Sequence, residues 1–170
     1  PFFHAFLSIN PLANSQTMKI VPGTFFITTL GCAKNQVDSS SIESLLTRQG
    51  SIPVDTASSA EYIIVNTCGF IHDARTESIH VLRKLARQKK RGQKLIAAGC
   101  LSQRYQEALL TQVPGIDGMM GTRDLSDILP LLTHLRQAPD QTALPAIPEH
   151  ARIRFLSGLP GYAVQGRSSY

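Results

Sequence analysis

The sequence predicts an α/β protein, an open and mainly parallel sheet of four or five strands with helices on both faces. Three observations carry this. Over residues 24–135, β-branched and aromatic segments alternate with segments of helical period. The strand-like segments are short and apolar, as strands buried on both faces are. Glycine or proline follows the helical segments, at Gly50, Gly92, Pro114 and Gly115. The resulting order, β-α-β-α-β-α-β-α, requires right-handed crossovers and gives a Rossmann/flavodoxin-like arrangement.

The first strand, 24–30, reads TFFITTL, a β-branched and aromatic run. A helix follows. Asn35 is placed to cap it, Asp38 suits its first turn, and Ile42, Leu45 and Leu46 give it one apolar face. Residues 51–60 read as a connection, with a short extended piece around Pro53 and Val54. The second strand is 62–65. The next helix covers 73–90, with Ile79, Leu82, Leu85 and Ala86 inward. The third strand is 94–98, and Leu101, Tyr105, Ala108 and Leu109 form the stripe of the helix after it. A weaker strand at 116–120 precedes a last helical segment with Leu125, Ile128, Leu129 and Leu132 on one face. Pro130 is expected to kink or split that segment. At 137–149 the period fails, and Pro139, Pro145 and Pro148 in a polar stretch read as an interdomain linker. Residues 152–156 resemble one more strand. Residues 1–22 read as a poorly ordered extension, with Met18 a natural start, which leaves 23–136 as the folded domain.

Composition narrows the class. Of 170 residues, 42% are hydrophobic and 17% charged, which fits a globular chain and not a disordered one. No apolar run approaches the ~18 residues of a membrane span, and the apolar opening lacks the basic flank of a signal peptide. An odd cysteine count argues against a disulfide framework and for a reducing cytoplasm. The formal charge is +5, and seven of the 17 basic residues lie between Arg83 and Lys94. That run reads either as a solvated helix end or as a docking patch for RNA or a ribosome. Neither a phosphate-binding glycine loop nor a GxSxG nucleophile elbow occurs.

Cys32, Cys68 and Cys100 are the three cysteines. Each follows a predicted strand and precedes a predicted helix. In an open parallel sheet the carboxyl ends of the strands share one edge, where ligands bind. The thiols, distant in sequence, are therefore expected to meet in space, with sulfurs within roughly 10 Å of one another. Free cysteine is also a common small core residue. If the three form a site, a structural zinc ion needs a fourth ligand, and His72 is the candidate. An iron–sulfur cluster is the alternative, with one iron lacking a protein thiolate. Gly31, Gly69 and Gly99 flank the cysteines and suit tight turns. Asn66 and Thr67 either fix the turn or hydrogen-bond the ligand's sulfurs.

Four blocks carry a resemblance. These are TLGCAKNQVDS from Thr29, NTCGFI from Asn66, AGCLSQRY from Ala98, and GMMGT from Gly118 with Asp124 beyond it. In order and spacing they resemble the N-terminal domain of the methylthiotransferases, over about 24–135. The wording of the second and third blocks resembles the branch that modifies an aspartate of a small-subunit ribosomal protein, more than the branch that modifies tRNA.

The resemblance implies that Cys32, Cys68 and Cys100 bind a 4Fe–4S cluster whose open iron holds the sulfur or methylthio group. It implies S-adenosylmethionine and a second 4Fe–4S cluster in a radical barrel, a C-terminal substrate-binding domain, and a ribosomal protein or ribosome as substrate. Two departures stand out. Ser40 occupies a position where the family commonly has glutamate, and no C-x-x-x-C-x-x-C motif is present. Residues 150–170 resemble the lead-in to the barrel, so the chain is expected to be a truncated first domain, monomeric and inactive alone. The readings from other classes are a non-catalytic flavodoxin-like metal-binding module and a structural domain with inert thiols.

Overall fold

The computed structural model describes residues 22–137. Strands β1 (Thr24–Thr29), β2 (Ile52–Pro53), β3 (Tyr62–Thr67), β4 (Lys94–Gly99) and β5 (Gly118–Met119) form one sheet of order β2-β1-β3-β4-β5. All four neighbouring pairs are parallel. Between them run α1 (Ala33–Arg48), α2 (His72–Gln88), α3 (Cys100–Gln112) and α4 (Ile128–Gln137). The chain goes from β1 to the edge strand β2, returns to β3 on the other side of β1, and continues outward. The topological switch point is therefore between β1 and β3.

Alternation along the central strands divides the core in two. Phe25, Ile64, Ile96 and Ala98 face α1 and α4, where Ile42, Leu46, Leu131 and Leu132 meet them. Ile63, Val65, Leu95 and Ala97 face α2 and α3, where Ile79, Leu82, Leu101 and Leu109 pack. Successive strand side chains point to opposite faces, and every residue of β3 is buried. A strand covered on both sides needs apolar residues at every position, which is why 62–65 shows no alternation in sequence. Each fully buried leucine or isoleucine contributes roughly 1.5–3 kcal/mol through loss of apolar surface to water.

The predicted class holds, and several boundaries move. The extended piece expected near Pro53 is a true edge strand, where Thr24 pairs with Ile52; proline is tolerated there because a sheet edge asks for fewer donors. The strands at 62–65 and 94–98 are each longer at the carboxyl end, reaching Thr67 and Gly99 in mutual register. The strand at 116–120 shrinks to Gly118–Met119. The last helical segment is split, as expected, but ahead of Pro130. A 3-10 turn at Leu125–Asp127 passes into α4, whose first turn contains Pro130. In a first turn the missing N–H costs nothing. Asn35 does not cap α1. Cys32 is the N-cap, with extended backbone at φ −91° and ψ 169°, and Asn35 lies buried inside the helix. Apart from Pro22 and Gln137, the extension 1–22, the linker 137–149, the strand 152–156 and the lead-in 150–170 lie outside the described residues.

Candidate functional site: the carboxyl edge of the sheet

Cys32 follows β1, Cys68 follows β3, and Cys100 opens α3 directly after β4. Because β1, β3 and β4 are consecutive in the sheet, the three cysteines leave three adjacent strands at one edge. Neighbouring strands lie ~4.8 Å apart, so two spacings, ~10 Å, separate the outer two.

Backbone contacts join these strand ends. The N–H of Gly69 donates to Sγ of Cys100 at 3.0 Å, and that thiol faces the Thr67 carbonyl at 3.7 Å. Gly31 lies against Cys68, so that a Cβ added at Gly31 would collide with the Cys68 Cβ and sit 2.8 Å from its Sγ. At Gly99 a Cβ would strike the Thr67 carbonyl and lie 2.6 Å from Oδ1 of Asn66. The φ of Gly99 is +100°, in the region that favours glycine.

A buried polar network fixes the turn after β1. Nδ2 of Asn35 donates to the Leu30 carbonyl at 2.6 Å. Nδ2 of Asn66 donates to the Asn35 carbonyl at 2.8 Å and to Oγ of Ser39 at 3.0 Å. Thr29 donates to the same Ser39 hydroxyl at 2.7 Å. Thr67 ties β3 to β4 by donating to the Ala98 carbonyl at 2.5 Å. On the other face, Oγ of Ser78 accepts from the Cys68 N–H and donates to the Cys68 carbonyl, both at 3.1 Å. Both polar groups of the Cys68 backbone are thus satisfied by one serine of α2.

The thiols differ in environment. Cys68 is 4% exposed, Cys100 is half-buried, and Cys32 is exposed. The backbone N–H groups of Asn35 and Lys34, in the first turn of α1, hold the Cys32 thiol below the usual cysteine range; the Lys34 charge adds a smaller effect. Cys32 makes no capping hydrogen bond, so the amides act by proximity. Beyond Cys68 the loop exposes Phe70 and Ile71 at 77% and 57%. Among the described residues, no three Cys, His, Asp or Glu side chains are gathered so as to hold one metal ion.

The model of the family described as "Uncharacterized protein family UPF0004" matches residues 24–121, more than half of the chain and all five strands. The chain belongs to this family. Its curated relatives include proteins named "Ribosomal protein uS12 methylthiotransferase RimO". The one from Herpetosiphon aurantiacus is 47% identical over 100 residues, covering 59% of this chain and 21% of the relative. The one from a Roseiflexus species is 43% identical over 125 residues, covering 74% and 26%. The one from Roseiflexus castenholzii is 38% identical over 138 residues, covering 81% and 28%. The chain therefore spans about a quarter of the length of these relatives, and it is similar to the N-terminal domain of RimO-like methylthiotransferases.

In this UPF0004 domain Gly31, Asn35, Asn66, Thr67, Gly69 and Gly99 all lie at the carboxyl edge with the cysteines. Asn66 and Thr67 bond the protein, through their amide and hydroxyl donors. His72 stands apart. It opens α2 with its side chain 88% exposed, 3.5 Å from Asp73, and it lines the groove between α2 and α3. Ser39 and Ser78 were not singled out by sequence. The available signal was a polar residue on a buried helical stripe, Ser39 between Asn35 and Ile42, and Ser78 between Ala74 and Leu82.

Proposed function

We propose that Cys32, Cys68 and Cys100 hold a 4Fe–4S cluster, and that this chain is the cluster-binding N-terminal domain of a methylthiotransferase adding a methylthio group to an aspartate of a small-subunit ribosomal protein. The observation that carries the reading is the placement of three thiols on three consecutive parallel strand ends.

The donor set fits a cluster better than a single ion. Zinc draws its thiolates to ~2.3 Å from one point, whereas a cluster takes thiolates on separate irons and so suits ligands spread across strand ends. When bound, such a cluster supplies an iron without a protein thiolate, open to a sulfur ligand. The chain's own residues do the rest. The Gly69 N–H bonds the Cys100 sulfur and holds it at the β4–α3 junction. Ser78 holds Cys68 by both backbone groups, and amides of the first turn of α1 favour the Cys32 thiolate. The substrate assignment is supported by the names of the relatives.

In this reading 23–136 is the cluster domain, 137–149 a linker, and 150–170 the approach to a radical domain. That domain would bring S-adenosylmethionine and the second cluster in a longer, cytoplasmic, monomeric enzyme. The three cysteines here are all committed to one cluster.

Anaerobic reconstitution with iron and sulfide tests it. Brown protein with broad absorbance near ~400 nm is expected. Any one of Cys32→Ala, Cys68→Ala or Cys100→Ala should fail to retain a stable cluster, and His72→Ala should retain it. Full iron content in a cysteine variant, or zinc bound without iron, overturns the proposal.

A further inference from the structure

The basic run of the sequence begins at Arg83, which with Arg75 lines a groove on the α2–α3 face of the sheet. The groove has a volume of about 330 Å³, and its walls include His72, Arg75, Thr76, His80 and Arg83 of α2 and Gln112 of α3. Residues 72–91 hold seven Lys and Arg against Asp73 and Glu77, a net +5 that equals the formal charge of the whole chain. Both acids lie near the start of α2, and from His80 to Arg91 the sequence has no carboxylate, although Lys89 pairs with Asp117 at 2.5 Å.

Two of the arginines are pre-set. Arg83 donates Nε to the Gln112 carbonyl at 3.1 Å. Anchoring by Nε leaves the Nη edge of the planar fork for a bidentate phosphate. Arg75 lies over the ring of Tyr105, 4.4 Å from its centroid. Tyr105 sits where α3 departs from helical geometry, at φ −122° and ψ 21°. Arg75 and Arg83 are eight residues apart, ~12 Å along the helix, and exposed Arg87 lies about one turn beyond Arg83, outside the groove lining. Cations spaced over such a length suit successive charges of a polymer better than one small anion. An acidic polypeptide matches the charge but makes no use of the stacked guanidinium and ring, a platform on which a base adds a further layer.

We propose that the α2–α3 groove binds a single-stranded nucleic acid, with phosphates on Arg75 and Arg83 in the groove and on exposed Arg87 just beyond it, and a base against the Arg75–Tyr105 stack. This goes beyond the cluster reading and does not rest on it.

The test is fluorescence anisotropy of the 170-residue chain with a fluorescein-labelled oligouridylate of about 15 nucleotides. The matching oligothymidylate and polyglutamate are run beside it, from about 50 to 200 mM salt. Binding to either sugar type, with a log–log salt slope near −2 for three phosphates on a single strand, is expected. Arg83→Glu combined with Arg87→Glu should lower affinity at least about tenfold and flatten the slope. Tyr105→Leu should weaken binding about threefold or more at unchanged slope. Arg48→Glu combined with Lys34→Glu, which makes the same charge change on α1 across the sheet, should change affinity less than about twofold. Thermal unfolding followed by circular dichroism confirms that each variant folds. Absence of binding at the lowest salt, a loss from the α1 double variant equal to that from the Arg83→Glu, Arg87→Glu variant, or polyglutamate binding as tightly as the oligonucleotides overturns the proposal. Because the metal-free chain is used, failure of cluster assembly leaves this result unaffected.

Discussion

Cys32 differs from the other two cysteines in what surrounds its sulfur. It is exposed, it is itself the extended N-cap residue of α1, and the amides of Asn35 and Lys34 draw its pKa down. The thiolate is the nucleophile, so alkylation follows the thiolate fraction and access together. A lowered pKa places the rise in thiolate at lower pH than in the unfolded chain. Iodoacetamide should therefore modify Cys32 first, roughly tenfold faster than buried Cys68 near neutral pH. The midpoint of its pH–rate profile should lie below that of the same cysteine in denaturant. Peptide mass spectrometry reads both, and coincident midpoints would show that the amides do not act on the sulfur. The cysteines themselves were legible because their residue type and strand-end position are sequence properties. Ser39 and Ser78 were not, because a serine hydroxyl acquires a role only when the fold brings a partner to it.

The element that decides the site is the β4–α3 junction. The sequence reading ended that strand at Ala98, but the ladder continues to Gly99, paired with Thr67, and α3 begins at once with Cys100. No loop residue intervenes, so the backbone of Gly99 alone makes the turn, at φ +100°. A side chain there meets both left-handed strain and the Thr67 carbonyl. Gly99→Ala should thus cost about 2–4 kcal/mol and lower the thermal midpoint by roughly 10 °C. It should also displace Cys100 and reduce iron uptake. Calorimetry with iron analysis checks this, and an unchanged midpoint would mean that the junction tolerates a Cβ. The misplaced cap at Asn35 has a related cause. A short amide side chain suits either a helix N-terminus or a buried carbonyl, and here it donates to the Leu30 carbonyl, while the Asn35 backbone carbonyl accepts from Asn66.

At the scale of the molecule, the sheet separates two apolar cores and carries the cysteines at one edge, with the basic groove on the α2–α3 face. In the proposed reading every cysteine serves one cluster, so the 170-residue chain should produce no 5′-deoxyadenosine from S-adenosylmethionine, even reconstituted and with a strong reductant. The protein must position that cofactor against a second cluster before the radical chemistry can begin. Chromatographic detection of the nucleoside above a no-protein control, lost on Cys→Ala substitution, would contradict that division of labour. The sequence by itself determined the β-α alternation, the parallel class and the strand-end position of Cys32, Cys68 and Cys100, because period, composition and turn residues act locally. Among the described residues no helix is long and apolar enough to cross a membrane, as hydropathy already indicated. Only the tertiary structure decided that β1, β3 and β4 are consecutive, that Asn66 and Ser39 lock the Cys32 turn, and that Arg75 stacks on Tyr105 across α2 and α3. Strand order and helix pairing are set by which apolar faces fit together over long sequence distances, and no local pattern records that fit.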